Sequence, residues 1–299
     1  LRRIHCHCFV ATLSLPLDRE QMPAMKQYLW ETLTFYSERK HNVQAGQLYL
    51  DAAHVATLDG SYSEALGYIS KAINGFEEEG QQELAGQAKL EKGRLLLTWA
   101  QAGNPQFYRQ ALAVYQELHK LFNREDAPDV FAEIHHQLGI IYAELPDEQS
   151  KRSIWASVSV TSFNEALDYF TLQEYPLEYG MICNNFGNAW TKYPAAVNSD
   201  NFQTALGYYS RALVARPAQV FPRERVMTLL NYLETAWKAG NEGDSFNSGR
   251  YFDMKEKAEE VLALTEDEAL RQEAQAHLTQ LENLKTGYEK AGENAINTD

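Results

Sequence analysis

The run Asn184-Asn185-Phe186-Gly187-Asn188-Ala189-Trp190, followed at a short distance by Thr204-Ala205-Leu206-Gly207-Tyr208-Tyr209-Ser210-Arg211-Ala212-Leu213, decides how this 299-residue chain is read. In the second run Ala205, Tyr208, Tyr209 and Ala212 recur at i, i+3, i+4 and i+7, which is one face of a helix. In the first, a small residue stands where a partner helix would cross, with a large aromatic close by. Two antiparallel helices approach closely only where side chains are small, and rings fill the space beside the crossing. The two runs therefore predict a helix hairpin.

The same signature recurs outward along the chain. Towards the N-terminus, 138–142 pairs with 165–170, 85–93 with 110–115, and 45–53 with 64–73. Towards the C-terminus, 231–237 pairs with 257–262. Crossing positions are assigned to Ala53, Gly93, Gly139 and Gly187, met from the second helices by Ala65, Ala111, Ala166, Ala205 and Ala258. Tyr142, Trp190, Tyr209 and Trp237 are the expected space-filling rings. A single hairpin cannot bury its apolar face alone, so hairpins must stack. The prediction is an all-α fold, an α-solenoid of about five antiparallel helix pairs with N- and C-terminal capping helices.

The capping helices are expected at 19–40, with Met25, Leu29, Leu33 and Tyr36 on one stripe, and at 267–290. The apolar side of the latter carries Leu270, Ala274, His277, Leu278, Leu281 and Leu284. Residues 1–21 read as an uncertain leader, 22–290 as a single solenoid domain with repeats over about 42–265, and 291–299 as a frayed tail. Met22 offers an alternative start, and Leu1 in first place is equally read as the mark of a fragment. The Pro-, Asp-, Ser- and Gly-rich stretches 145–161 and 240–250 read as loops between the helices of a repeat.

Composition narrows the function. Net charge is −14, which argues against a nucleic-acid groove. No apolar run approaches the length of a membrane-spanning helix. Cys6, Cys8 and Cys183 are too few for a disulfide framework, and no Asn-x-Ser/Thr occurs, so a cytoplasmic setting is expected. There is no phosphate loop, nucleophile elbow or His-Glu-x-x-His, so no enzyme activity, cofactor or metal is expected. His5-Cys6-His7-Cys8 has four donors in four residues, a poor spacing for one tetrahedral ion. His135 and His136 diverge by about 100° on a helix and do not make one site. Glu77-Glu78-Glu79 reads as a solvated turn and Cys183 as a buried inert thiol.

Leu138-Gly139-x-x-Tyr142 and Ala205-x-x-x-Tyr209-x-x-Ala212-x-x-x-x-Pro217 resemble the tetratricopeptide repeat over roughly 42–265. The period departs from that family, because positions 53, 93, 139, 187 and 234 lie 40 to 48 apart where its repeat is 34. Glu234 also stands where a small residue belongs. The run at 184–190 further resembles repeats in kinesin light chains and beside bacterial caspase-like protease domains, which opens the alternative of a regulatory module of a larger assembly.

The tetratricopeptide resemblance implies that first helices line a concave groove. The positions facing it are then Gln47, Leu50, Asp51 and His54; Gln87, Leu90, Glu91 and Arg94; Glu133, His136, Gln137 and Ile140; Asn184, Asn185 and Asn188; and Asn231, Tyr232, Thr235 and Lys238. Primary amides offer donors and an acceptor to a peptide backbone, so Gln87, His136, Asn184, Asn188 and Asn231 are the candidate peptide-binding residues. Bonds from these Asn side chains to neighbouring helices are the competing reading. Where chaperone-tail binders of that family hold a terminal carboxylate with lysine and asparagine, this chain has Leu50 and His54. The acidic balance points to a basic or neutral protein or peptide partner, with no nucleic acid and no membrane.

Overall fold

The computed structural model describes residues 3, 5–7, 22–146, 149–195, 200–239 and 247–296. All regular structure among them is helical, and within each of two compact units consecutive helices pack against one another. The chain divides into two compact units, 1–126 and 127–299. The first holds α1 (Met22–Ser37), α2 (Asn42–Leu58), α3 (Tyr62–Glu78), α4 (Gln82–Gln101) and α5 (Phe107–Leu121). The second holds α6 (Pro128–Glu144), α7 (Gln149–Tyr169), α8 (Pro176–Trp190), α9 (Asn201–Ala215), α10 (Pro222–Ala236), α11 (Ser248–Leu264) and α12 (Glu268–Ile296).

The helices stop and start for local reasons. After α2 and α3, Gly60 and Gly80 adopt positive φ. The next amide then bonds back into the last turn, Ser61 N–H to Ala56 O at 2.8 Å and Gln81 N–H to Phe76 O at 2.8 Å. That geometry satisfies carbonyls a helix end leaves open. Lys40 takes the same left-handed conformation after α1, with φ 54°. In the second unit, Pro128, Pro176 and Pro222 open α6, α8 and α10, at the position where a missing N–H costs nothing. Asp200 and Asn247 cap α9 and α11 with side-chain oxygens.

Within hairpins, the ring of the second helix sits directly on the glycine of the first. A β-carbon at Gly93 would stand 2.8 Å from the Tyr115 ring, at Gly139 2.9 Å from Phe163, and at Gly187 2.5 Å from Tyr209. This corrects the expected arrangement, in which alanine met glycine and rings filled space a turn away. Ala111, Ala166 and Ala205 are buried beside these seats, but the ring is the group that glycine admits. In the fifth hairpin Glu234 is exposed, and Leu233 and Ala236 carry the packing.

The stretch 145–161 is also corrected. α7 begins at Gln149, so most of that supposed loop is helix. Its serines were the misleading signal. Ser157 and Thr161 bond back to the carbonyls four residues earlier. Ser159 is buried and donates to Gly139 O at 2.6 Å. Trp155, Ser159 and Phe163 thus share one inward stripe that small polar residues disguise. Residues 240–246 of the other expected loop lie outside the described residues, and α11 starts at Ser248.

The terminal helices are present as capping helices, although Leu284, expected on the apolar side of the last, is 42% exposed. Met25, Leu29 and Leu33 of α1 are buried. α12 buries Ala274 and Leu281 and runs to Ile296, past the expected end at Lys290. Arg3 and His5–His7 are the described part of the leader, and Cys6 is fully buried among Met22, Met25, Leu29, Leu48 and Ala52. Cys8 lies outside the described residues.

Candidate functional site

In the second unit, first helices of successive hairpins are stitched together by side chains. His136 Nε2 lies 3.0 Å from Asn185 Nδ2 across α6 and α8. Lys192, just after α8, bonds Glu144 at the end of α6. Asn231 Nδ2 of α10 donates to Asn184 Oδ1 of α8 at 3.1 Å. Asn188 Oδ1 accepts from Tyr209 Oη at 2.8 Å, which fixes the ring seated on Gly187. His136 is buried, while Asn184, Asn188 and Asn231 are half-buried. The Asn184–Asn231 bond is that of the competing reading, in which these amides bridge neighbouring helices. A primary amide has two donors and an acceptor oxygen, so these bonds occupy part of each group's capacity.

The first unit differs at the same kind of seam. Between α2 and α4 lies a cleft of about 410 Å³ lined by Leu50, Asp51, Ala53, His54, Thr57, Ile69, Glu91, Arg94, Leu95 and Thr98. Its volume falls in the ordinary range for ligand sites. Ala53, Ile69 and Leu95 are buried, while His54, Glu91, Arg94 and Thr98 are exposed. The cleft thus has an apolar floor and a charged rim. Gln87 is exposed on α4, one turn before Glu91. Leu50, Asp51, His54, Glu91 and Arg94 are all expected groove positions, and the fold brings all five to this cleft. Leu90, expected with them, is buried in the core. The floor residue Ile69 escapes a reading confined to first helices, because it comes from a second helix.

Electrostatics centre on Asp51, which is buried at 7% exposure. Its Oδ1 lies 2.7 Å from His7 Nδ1, and one turn earlier Arg3 donates to Gln47 Oε1. Burial pushes the Asp51 carboxyl above its ordinary range, against the opposing pull of the His7 bond and the charges of His7, His54 and Arg3. On the rim Arg94 Nη1 donates to Glu91 Oε1 at 2.6 Å.

A raised folded-state carboxyl means that the folded chain holds its proton to higher pH than the unfolded chain does. The ionised form then weighs against folding at neutral pH, and the cost fades as pH falls into the ordinary carboxylate range. Asp51→Asn keeps the shape and a bond to His7. It is expected to raise the melting temperature at pH 7 to 8, with the gain disappearing as thermal melts are repeated at falling pH. An unchanged or lowered melting temperature at neutral pH would contradict this.

Among the described residues nothing assembles a nucleophile. Cys6 and Cys183 are buried, and burial pushes both thiols up to about 11, so both stay protonated near neutral pH. His135 packs on the Phe131 ring, apart from His136. Among the described residues no three His, Cys, Asp or Glu side chains converge as a metal set. No helix among them is long and apolar enough to cross a membrane.

Comparison with known proteins agrees with this architecture. A search of curated proteins finds no match. The family described as soluble NSF attachment protein, SNAP, matches residues 15–210. That span takes in α1 to α8 and the first part of α9, so it includes both the open cleft and the stitched seam between α6 and α8. The resemblance to tetratricopeptide repeats is a likeness of stacked helix hairpins. With close to two thirds of its length matched, the chain belongs to the soluble NSF attachment protein family.

Proposed function

We propose that this chain is a non-catalytic adaptor that holds an extended segment of a protein partner on the exposed faces of its first helices, with the α2–α4 cleft as the principal seat. The observation that carries the proposal is the contrast between seams. Those of the second unit are bridged by His136–Asn185 and Asn184–Asn231 bonds, with a smaller hollow of about 260 Å³ where Glu144 and Lys192 meet at the end of the α6–α8 seam, whereas the α2–α4 seam opens into a larger lined cleft of about 410 Å³. Gln87 at its edge offers amide groups to a peptide backbone. In the second unit the half-buried Asn184, Asn188 and Asn231 would offer a subsidiary polar row through their unused capacity, while His136, buried and bonded to Asn185, would support that row without facing the ligand. The family description supplies a first candidate protein, NSF.

The test is selection of a random peptide library on the full chain, with immobilised NSF as a parallel arm. Thr98→Trp fills the cleft from its exposed rim without touching a buried group. It is expected to weaken selected peptides about tenfold, a cost of roughly 1.4 kcal/mol. Lys255→Ala, on α11, is expected to leave them unchanged. Peptides indifferent to Thr98→Trp and to Gln87→Ala would refute the cleft as seat. A ligand that survives the joint change of Asn184 and Asn231 to Ala would remove the subsidiary row.

A further inference from the structure

Resting on that reading, we infer that the α2–α4 cleft seats a lysine or arginine side chain of the bound segment. Its methylenes would lie on Ala53, Ile69 and Leu95 and its charged head against Asp51 and Glu91. Three observations carry this. The first is the shape of the chemistry: an apolar floor with a buried carboxylate from α2, Asp51, and an exposed one on the α4 rim, Glu91. Long cationic side chains have that same division, an apolar stem and a charged tip.

The second comes from the chain itself. Arg3 and His7, four residues apart, present their nitrogens to Gln47 and Asp51, four residues apart on α2. These contacts lie beside the cleft and not in it, since neither Gln47 nor the leader lines it; Asp51 is the residue common to both, and its carboxylate already takes a basic side chain there. The register of 44 residues resembles those of the stitched seams, where 136 meets 185 and 184 meets 231.

The third is the burial of the Asp51 carboxyl at 7% exposure, which raises it against the pull of His7, His54 and Arg3. His7 is a weak partner because 67% of its side chain is exposed. A cation entering the cleft meets a largely desolvated carboxylate, where charge-assisted bonds are strongest. The rim cation Arg94 is already bonded to Glu91 in an exposed pair, and such pairs are worth little, so sharing Glu91 costs the fold little. The net charge of −14 adds long-range attraction for a basic segment.

The test uses the full chain, isotopically labelled, and three probes: Nα-acetyl-arginine methylamide and its citrulline and norleucine counterparts. NMR shifts from the arginine probe are expected to concentrate at 50–54 and 91–95. Citrulline keeps the shape and loses the charge, and is expected to bind about tenfold more weakly. Asp51→Asn and Glu91→Gln should each reduce the preference for arginine over citrulline. Equal binding of arginine and citrulline, shifts clustered elsewhere, or no shifts at the solubility limit would overturn the inference. Selected peptides that respond to Thr98→Trp yet carry neutral anchors would sink this inference and leave the adaptor reading standing. Selected peptides that bind but ignore the cleft would sink the cleft as seat and this inference with it, and failure to select any peptide or to capture NSF would sink the adaptor reading itself.

Discussion

Gly187→Ala is expected to destabilise the second unit by about 1–3 kcal/mol, although alanine is the better helix former. The new β-carbon would stand 2.5 Å from Tyr209 Cε1 and 2.7 Å from Cδ1. The ring has little freedom to retreat. It is 1% exposed, and its hydroxyl is held by Asn188 at 2.8 Å. The control lies across the same hairpin. Gly207 on α9 is exposed, and a β-carbon added there would meet nothing within 4 Å. Gly207→Ala should therefore stabilise by about 0.5–1 kcal/mol, the ordinary gain over glycine in a helix. Urea unfolding of the two variants must give shifts of opposite sign. Shifts of the same sign would mean that Tyr209 does not occupy the seat described.

Arg225→Met is expected to cost about 2–3 kcal/mol, the range for losing charge-assisted bonds. The guanidinium joins three helices. Its Nε and Nη2 meet the Glu260 carboxylate of α11 at 2.5 and 3.2 Å. Its Nη1 donates to Leu213 O and Arg216 O at the end of α9, at 2.8 and 3.0 Å. Both side chains of the ion pair are less than a third exposed, so solvent screens them incompletely. Substitution strands the Glu260 carboxylate and two helix-end carbonyls together. Arg225→Met with Glu260→Gln should cost less than the two single changes summed, because the second change removes a charge that the first left unpaired. A cost below about 0.5 kcal/mol for Arg225→Met, the range of an ordinary surface change, would show that the clamp is idle.

Hairpins were legible in the sequence because small residues and rings recur at helical spacing, and the pairings 45–53 with 64–73 through 231–237 with 257–262 are those of the fold. What escaped were features that depend on contact. Which aromatic sits on which glycine differs between hairpins. Tyr115 and Tyr209 follow their alanines by four residues, whereas Phe163 precedes Ala166 by three. The serines of α7 looked like loop because burial of Ser159 and its bond to Gly139 O are invisible to composition. The leader gave no apolar stripe, yet Cys6 fills a gap between α1 and α2. For the candidate site, the facing of Asp51, His54, Glu91 and Arg94 followed from the tetratricopeptide resemblance. Which seams close and which opens did not, because it depends on whether side chains of adjacent hairpins meet.

The open seam would also set how the proposed seat accommodates size. The walls of the cleft belong to separate hairpins, with α2 on one side and α4 on the other. The gap can therefore widen or narrow by small tilts of one hairpin against the next without breaking any helix's internal hydrogen-bond ladder. An aperture of that sort grips occupants of differing bulk with similar contact, whereas a slot closed by paired amides would have to unzip first.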